Sequence, residues 1–146
     1  MFIRRAFPDE SNHLLKLMAQ AVNESTMGYQ ENDEKKTFEN FVPLLRSGAY
    51  YLISADRNVL TGWILVGREF NSFSNARVGA IFSLFVYPQY RKLGIGKELM
   101  LAAIEELKKQ GFEKVQLNVF AGNPARFLYE ELGFKEVSRI MEMDLI

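Results

Sequence analysis

The fold is decided by residues 78–110, which have the sequence VGAIFSLFVYPQYRKLGIGKELMLAAIEELKKQ. The segment through Val86 is apolar and rich in aromatic and β-branched residues, which predicts a buried strand. Pro88 ends this strand, because proline cannot donate to a sheet ladder. A helix is predicted next, since apolar residues recur at helical spacing at Ile95, Leu99, Ala103 and Leu107. Gly111 marks the end of that helix.

A short basic turn joins the strand to the helix, and it consists of Arg91, Lys92, Leu93, Gly94, Ile95, Gly96 and Lys97. The first N–H groups of a helix have no internal partner, and the helix dipole adds partial positive charge there. Gly94 and Gly96 carry no side chain, so a bulky anion can approach these N–H groups closely. The turn therefore predicts a phosphate site, with a pyrophosphate favoured. An ordinary strand-to-helix turn with solvated basic side chains is the alternative.

Two common phosphate-binding motifs do not match this turn. A Walker A loop has a glycine where Arg91 stands and Ser or Thr where Glu98 stands. A dinucleotide fingerprint needs a third small residue at the position of Leu99. The pattern that remains, R91-x-x-G94-x-G96 after V86-x-P88, resembles the acyl-CoA-binding motif of the GNAT superfamily of N-acetyltransferases.

A second motif strengthens the resemblance. Residues 125–134, with the sequence ARFLYEELGF, are similar to the second GNAT signature, which commonly follows an asparagine. The family often has two residues between that asparagine and the alanine, whereas only Pro124 lies between Asn123 and Ala125 here.

Composition limits the classes of function. A chain of 146 residues with 48% apolar content suits one folded domain, residues 1–146. Its formal net charge is zero, so we expect neither a nucleic acid nor a membrane as partner. Without cysteine and with one histidine, thiolate catalysis, a Ser-His-Asp triad and a multi-histidine metal site are disfavoured, and we expect no metal. No apolar run suits a signal peptide or a membrane span, so we expect a cytoplasmic protein.

Periodicity along the chain predicts the element order βααβββαβαββ, an α/β arrangement around a mixed sheet. Pro43 is expected to kink or break the second helix. Residues 134–137 and 139–145 are predicted as two closing strands. The resemblance implies a GNAT-like three-layer fold, with about seven strands flanked by about four helices.

The resemblance also implies acetyl-CoA as cofactor and assigns residues to it. The backbone of Leu84, Phe85 and Val86 would pair with the pantetheine arm, and the strand carrying Asn118 would diverge to admit that arm. Main-chain N–H groups from Arg91 to Lys97 would hold the pyrophosphate. Asn123, Phe127 and Tyr129 would approach the cofactor from the other side.

The implied chemistry is direct attack of an amine on the thioester. A main-chain N–H of Leu84 or Val86 would stabilise the oxyanion, and Tyr129 would lie beside the sulfur as the catalytic residue that protonates the leaving thiolate. Phe82 and Ser83 stand where some relatives have a carboxylate base, and neither can act as one. The proton could instead leave through water to Glu24, Glu31 or Glu34.

The acceptor is the least defined part of the prediction. It is expected to be a small-molecule amine or a protein or peptide amine, bound between residues 23–33 and 68–77, with walls from Tyr29, Phe70 and Phe73. Dimerisation is common in this fold, so a homodimer is compatible with the sequence. The alternative function is a non-catalytic module of the same fold that binds or senses acyl-CoA.

Overall fold

The computed structural model describes residues 2–70 and 72–146. In chain order the elements are β1 (Phe2–Arg5), α1 (Pro8–Ser25), α2 (Glu34–Arg46), β2 (Tyr50–Asp56), β3 (Val59–Arg68), β4 (Val78–Val86), a 3₁₀ turn (Pro88–Tyr90), α3 (Ile95–Lys109), β5 (Lys114–Leu117) and α4 (Arg126–Glu131). Each helix within these two ranges is too short or too polar to cross a bilayer.

The five strands form one mixed sheet in the order β1-β2-β3-β4-β5. The first three neighbouring pairs are antiparallel, and β4 and β5 are parallel. Arg57 and Asn58 form the tight turn between β2 and β3, with φ angles of 50° and 66°. Positive φ at both central residues matches the twist of a two-residue hairpin, which joins β2 to β3.

Helices cover both faces of the sheet and give two apolar cores. Alternate residues of β3 divide between them, with Trp63 and Leu65 in the core beneath α1 and α2. Ile64 and Val66 lie in the core beneath α3 and α4. The three-layer α/β architecture implied by the resemblance is therefore confirmed.

The central strand and helix have the predicted positions. β4 ends at Val86, two residues before Pro88, and α3 begins at Ile95 and ends at Lys109. Leu99 and Ala103 of α3 are fully buried against the sheet. The helical spacing of apolar residues thus identified the buried side of α3.

The prediction of about seven strands is wrong for the described residues, which contain five. Phe134 does not begin a strand, because its N–H donates to the Tyr129 carbonyl at 2.9 Å and closes α4, with Gly133 at a φ of 103°. Residues 135–146 have no strand pairing. Met141 and Met143, whose alternating positions are typical of a strand with one buried face, are 91% and 78% exposed. Their side chains therefore pack against no apolar surface.

Pro43 does not break the second helix. α2 continues through Pro43 to Arg46. Proline removes one helical hydrogen bond, and in the last turn of a helix this loss leaves the preceding turns intact. Of the predicted kink or break, the break is therefore wrong, and the kink stays a prediction.

The neighbouring residues Tyr50 and Tyr51 differ in whether their hydroxyl groups have hydrogen-bond partners. The buried Tyr51 hydroxyl has no hydrogen-bond partner in the described ranges, whereas the Tyr50 hydroxyl donates to Glu106 and accepts from Gln110. We expect Tyr51→Phe to raise the free energy of unfolding by about 1 kcal/mol, because it removes an unsatisfied polar group. Urea denaturation measures the change.

Tyr50→Phe is the matched control and should lower the free energy of unfolding by about 1 kcal/mol, because it breaks hydrogen bonds that are made. Equal destabilisation by both substitutions would contradict the unpartnered state of the Tyr51 hydroxyl.

Candidate functional site

The strands β4 and β5 separate after a short shared ladder. Their pairing begins at Val78–Lys114 and ends at Ile81–Leu117. β4 continues to Val86 and remains paired with β3 on its other edge. We call the space beside residues 82–86 on the β5 side the β4–β5 gap. β4 and β5 thus diverge after Ile81 and Leu117, as the resemblance to the family implies.

Main-chain groups of two β4 residues face this gap. The Tyr87 N–H donates to the Thr61 carbonyl at 3.0 Å, so Tyr87 directs its main chain towards β3. Because these directions alternate along a strand, Phe85 also faces β3, whereas Leu84 presents its N–H and C=O groups and Val86 presents its N–H group to the gap. The Val86 carbonyl accepts from Arg91 Nε at 2.7 Å. Of the three β4 residues predicted to contact the cofactor, Leu84 and Val86 thus offer an open strand edge.

The turn after β4 leads directly into the uncapped start of α3. Lys92 and Gly94 have φ angles of 64° and 84°. The Gly94 carbonyl accepts the first helical bond from Glu98 N–H at 3.0 Å, and no side chain in the described residues caps this helix start. The early N–H groups of α3 are therefore open to an anion. The Arg91 N–H is not open to an anion in the same way, because it donates to the Pro88 carbonyl at 3.3 Å.

Gly96 brings three elements of the site together. A Cβ added to Gly96 would lie 3.9 Å from Val86 Cγ2 and 3.7 Å from Leu128 Cδ2, which are ordinary contacts. The start of α3 therefore lies beside the end of β4 and beside α4. Because Gly96 has room for a methyl group, its small size is not required by packing within the chain.

The basic residues of the turn are partly paired. Arg91 forms an ion pair with Glu24 at 2.6 Å, and Lys97 forms one with Glu131 at 2.9 Å. These pairs are exposed to solvent and therefore weak. Lys92 is exposed and forms no ion pair within residues 2–70 and 72–146. The positive charge predicted from the sequence is thus reduced around Arg91 and Lys97.

Tyr129 lies on the inner side of α4, in the same apolar cluster as Leu84 and Val86. Its ring centroid is 6.0 Å from that of Phe134. Burial raises the pKa of the Tyr129 hydroxyl above its ordinary value, so the hydroxyl remains protonated at neutral pH. In the part of the chain that the structure describes, this hydroxyl makes no hydrogen bond, and it can act as a donor.

The other predicted cofactor residues have different surroundings. The Asn123 side chain donates to the Ser25 carbonyl at 3.0 Å and accepts from Ala125 N–H at 2.9 Å, so both of its polar atoms have protein partners. Asn118 is exposed and directly follows β5. Phe127 is 62% exposed on the outer side of α4. Their contacts with the cofactor remain predictions.

The structure does not bring the two predicted acceptor loops together. Residues 68–77 precede β4, and the Arg77 carbonyl accepts from Glu113 N–H at 2.8 Å, near the end of α3. Tyr29 lies at the other end of β4, where its ring centroid is 5.8 Å from that of Phe120. An acceptor site between these two loops is therefore wrong, because residues 68–77 lie at the far end of β4, whereas acceptor contacts of residues 23–33 stay a prediction.

Two surface pockets of about 280 and 460 Å³ lie away from the gap. They adjoin each other at the start of α1 and share Glu10, Ile53 and Leu60. Neither is lined by a predicted cofactor residue. The site assembled here is instead an open groove along a strand edge, which suits an extended ligand.

The geometry defines a class of protein. An open strand edge can hydrogen-bond the two amides of a pantetheine arm, and the adjacent helix start can hold a diphosphate. Tyr129 adds a protonated donor on the same side of the sheet. This combination is that of a protein that uses an acyl-CoA.

Comparison with known proteins identifies the family. The Acetyltransferase (GNAT) family model matches residues 15–134, and the chain belongs to this family. It is an acetyltransferase, and acetyl-CoA is its cofactor. Over 144 residues it is 32% identical to an N-alpha-acetyltransferase of Sulfurisphaera tokodaii, covering 92% of this chain and 80% of that protein.

Two further proteins resemble this chain, one over a segment of its sequence and the other in its fold. The chain is 42% identical over 57 residues to a [ribosomal protein bS18]-alanine N-acetyltransferase of Haemophilus influenzae, and this match spans 39% of each protein. A predicted acetyltransferase from Clostridium acetobutylicum, solved with acetyl-CoA, has a TM-score of 0.77 at 18% identity and covers 99% of this chain and 96% of that one. At 18% identity, this similarity shows a shared fold alone.

A negative charge placed at Gly96 tests whether the turn before α3 binds the diphosphate of CoA. We expect Gly96→Glu to weaken CoA binding at least about tenfold, because a carboxylate would project beside the helix start that is to hold the diphosphate. Isothermal titration calorimetry measures the affinity. Gly96→Ala is the control and should preserve the fold, since its Cβ meets only ordinary contacts. Wild-type affinity in a folded Gly96→Glu protein would contradict this placement of the diphosphate.

Proposed function

We propose that this protein transfers an acetyl group from acetyl-CoA to a primary amine by direct attack on the thioester. The observation that carries the proposal is the open edge of β4, where Leu84 and Val86 face the gap beside the start of α3. Membership of the family supports the acetyl transfer. The amine and the mechanism are the proposed part.

The cofactor is proposed to lie along β4 and end at the turn. Pantetheine amides pair with main-chain groups of Leu84 and Val86, as an added strand would. The diphosphate meets the N–H groups at the start of α3, from Gly94 onward, and Lys92 adds its charge. In this orientation the thioester lies deeper in the gap, towards the Ile81–Leu117 pair.

The reaction then needs one bond to form and one to break. The neutral amine nitrogen attacks the thioester carbonyl carbon, and a main-chain N–H of Leu84 or Val86 stabilises the developing oxyanion. The carbon–sulfur bond breaks, and Tyr129 gives a proton to the leaving thiolate. The proton lost by the amine passes to water.

An α-amino group is the acceptor that this site suits best. The Ser83 hydroxyl accepts from the Trp63 indole N–H at 3.2 Å, and Phe82 has no titratable group, so neither supplies a base. A terminal amine titrates near 8 and a lysine near 10.4, so at neutral pH the terminal amine is neutral several hundred times more often. The names of the relatives, an N-alpha-acetyltransferase and a ribosomal protein alanine N-acetyltransferase, support the same choice.

A paired-substrate assay tests this function. One peptide carries a free N-terminus and no lysine, and its partner carries a blocked N-terminus and one lysine. Release of CoA thiol is expected with the first peptide and little with the second. Tight CoA binding without thiol release from either peptide, or from a panel of small amines, would favour the non-catalytic sensing module instead.

Tyr129→Phe tests the general acid. We expect kcat to fall roughly ten- to a thousandfold, the range for loss of a positioned acid, with little change in CoA affinity. Steady-state kinetics with saturating peptide measures the loss. Glu130→Gln on the exposed side of the same helix is a helix control. Unchanged turnover in Tyr129→Phe would remove Tyr129 from the mechanism.

The dependence of kcat/KM on pH tests the protonation states of the attacking amine and of the Tyr129 hydroxyl together. As pH rises, kcat/KM for the peptide should increase to a plateau above about pH 8, because the attacking amine must be neutral. Burial raises the pKa of the Tyr129 hydroxyl above its ordinary value, so the hydroxyl stays protonated throughout this rise and no decline is expected as the plateau is reached. A decline near pH 8 that disappears in Tyr129→Phe would contradict this assignment.

A further inference from the structure

The last turn of α1 is connected to two other parts of the chain. Glu24 pairs with Arg91 at 2.6 Å, and the Ser25 carbonyl accepts from the Asn123 side chain at 3.0 Å. We call Glu24, Ser25, Arg91 and Asn123 the α1 clamp. Because Arg91 follows β4 and Asn123 follows β5, the clamp joins the two sides of the β4–β5 gap through the end of α1.

The Arg91 side chain takes part in this connection through two of its nitrogens. Its Nε donates to the Val86 carbonyl at 2.7 Å, while its terminal nitrogen meets Glu24. Its guanidinium carbon lies 5.3 Å from the Phe85 ring centroid. The side chain therefore holds α1 against the end of β4 rather than extending towards the start of α3.

The segment after the clamp is folded onto the end of α1. We call residues 26–33 the acceptor loop, because they belong to residues 23–33, one of the two segments predicted from the sequence to bind the acceptor. The Gly28 N–H donates to the Asn23 carbonyl at 2.8 Å, and the Asn23 side chain donates to the Gln30 carbonyl at 2.8 Å. The Gln30 N–H donates to the Thr26 hydroxyl at 3.0 Å. The first part of the acceptor loop therefore moves with the last turn of α1.

We propose that Glu24 is a positioning residue that acts through Arg91. Its ion pair fixes the acceptor loop relative to the cofactor edge of β4, so that binding of CoA and binding of the acceptor favour each other. This inference rests on the proposed function, which assigns the strand edge to the cofactor. Coupling of this kind is reciprocal, because each ligand favours the same arrangement of the linking element.

Stability of the fold does not account for the pair. The Arg91 and Glu24 side chains are 39% and 45% exposed, and ion pairs at such positions add little to the free energy of unfolding. Glu24→Gln keeps the shape of the side chain and removes its charge. We therefore expect an unchanged Tm, with effects confined to the acceptor loop and to its coupling.

Hydrogen exchange in the ligand-free protein tests the clamp itself. In Glu24→Gln the amides of Thr26 and Gly28 should exchange about fivefold faster than in wild type, while the amides of α3 remain unchanged. Glu39→Gln is the matched control, since Glu39 is exposed on α2, outside the acceptor loop, and forms no ion pair within the described residues. Glu24→Asp retains the charge and should restore part of the protection.

Kinetics and calorimetry then test the positioning role. Glu24→Gln should raise the KM of the N-terminal peptide about fivefold, with the CoA affinity measured without acceptor unchanged within twofold. Unchanged loop exchange in Glu24→Gln would overturn the inference, as would faster exchange with an unchanged peptide KM, or an equal KM increase in Glu39→Gln. A wild-type protein that binds CoA without thiol release would refute the proposed function, whereas the exchange experiment would still decide the clamp.

Discussion

The separation of β4 from β5 after the Ile81–Leu117 pair is the constraint on which the site depends. Main-chain N–H and C=O groups need partners, and within a sheet the neighbouring strand supplies them. Once β5 diverges, the N–H and C=O groups of Leu84 and the N–H group of Val86 face an open gap, where a ligand with amides of its own can replace the missing strand. The same divergence allows Tyr129 to approach from α4 on the same side of the sheet.

The open edge is held in place by packing on both faces of β4. On one face, the Phe85 ring stacks on Trp63 at 4.8 Å and meets Tyr87 edge-on at 5.3 Å. On the other face, the start of α3 is anchored by Ile95, which is buried in the second core. A strand edge fixed in this way needs little reordering when a ligand binds, which favours affinity.

Local signals predicted the central part of the fold and site. Pro88, the glycine turn and the helical spacing each act over a few residues, so the limits of β4 and α3 could be predicted from the sequence. The closing strands could not, because alternation such as Met141 and Met143 describes a paired strand and an exposed segment equally well. The Glu24–Arg91 contact joins residues far apart in the chain, and a single sequence carries no signal for it. The acceptor loops were misplaced for the same reason, since loop composition does not show which end of β4 a loop adjoins.

A structure of the protein with bound CoA tests the central claim most directly. We expect the pantetheine amides to hydrogen-bond the main chain of Leu84 and Val86 within the β4–β5 gap, with the diphosphate at the N–H groups from Gly94 onward. CoA bound elsewhere on the chain, or a gap closed by a strand that pairs with Leu84 and Val86, would contradict it.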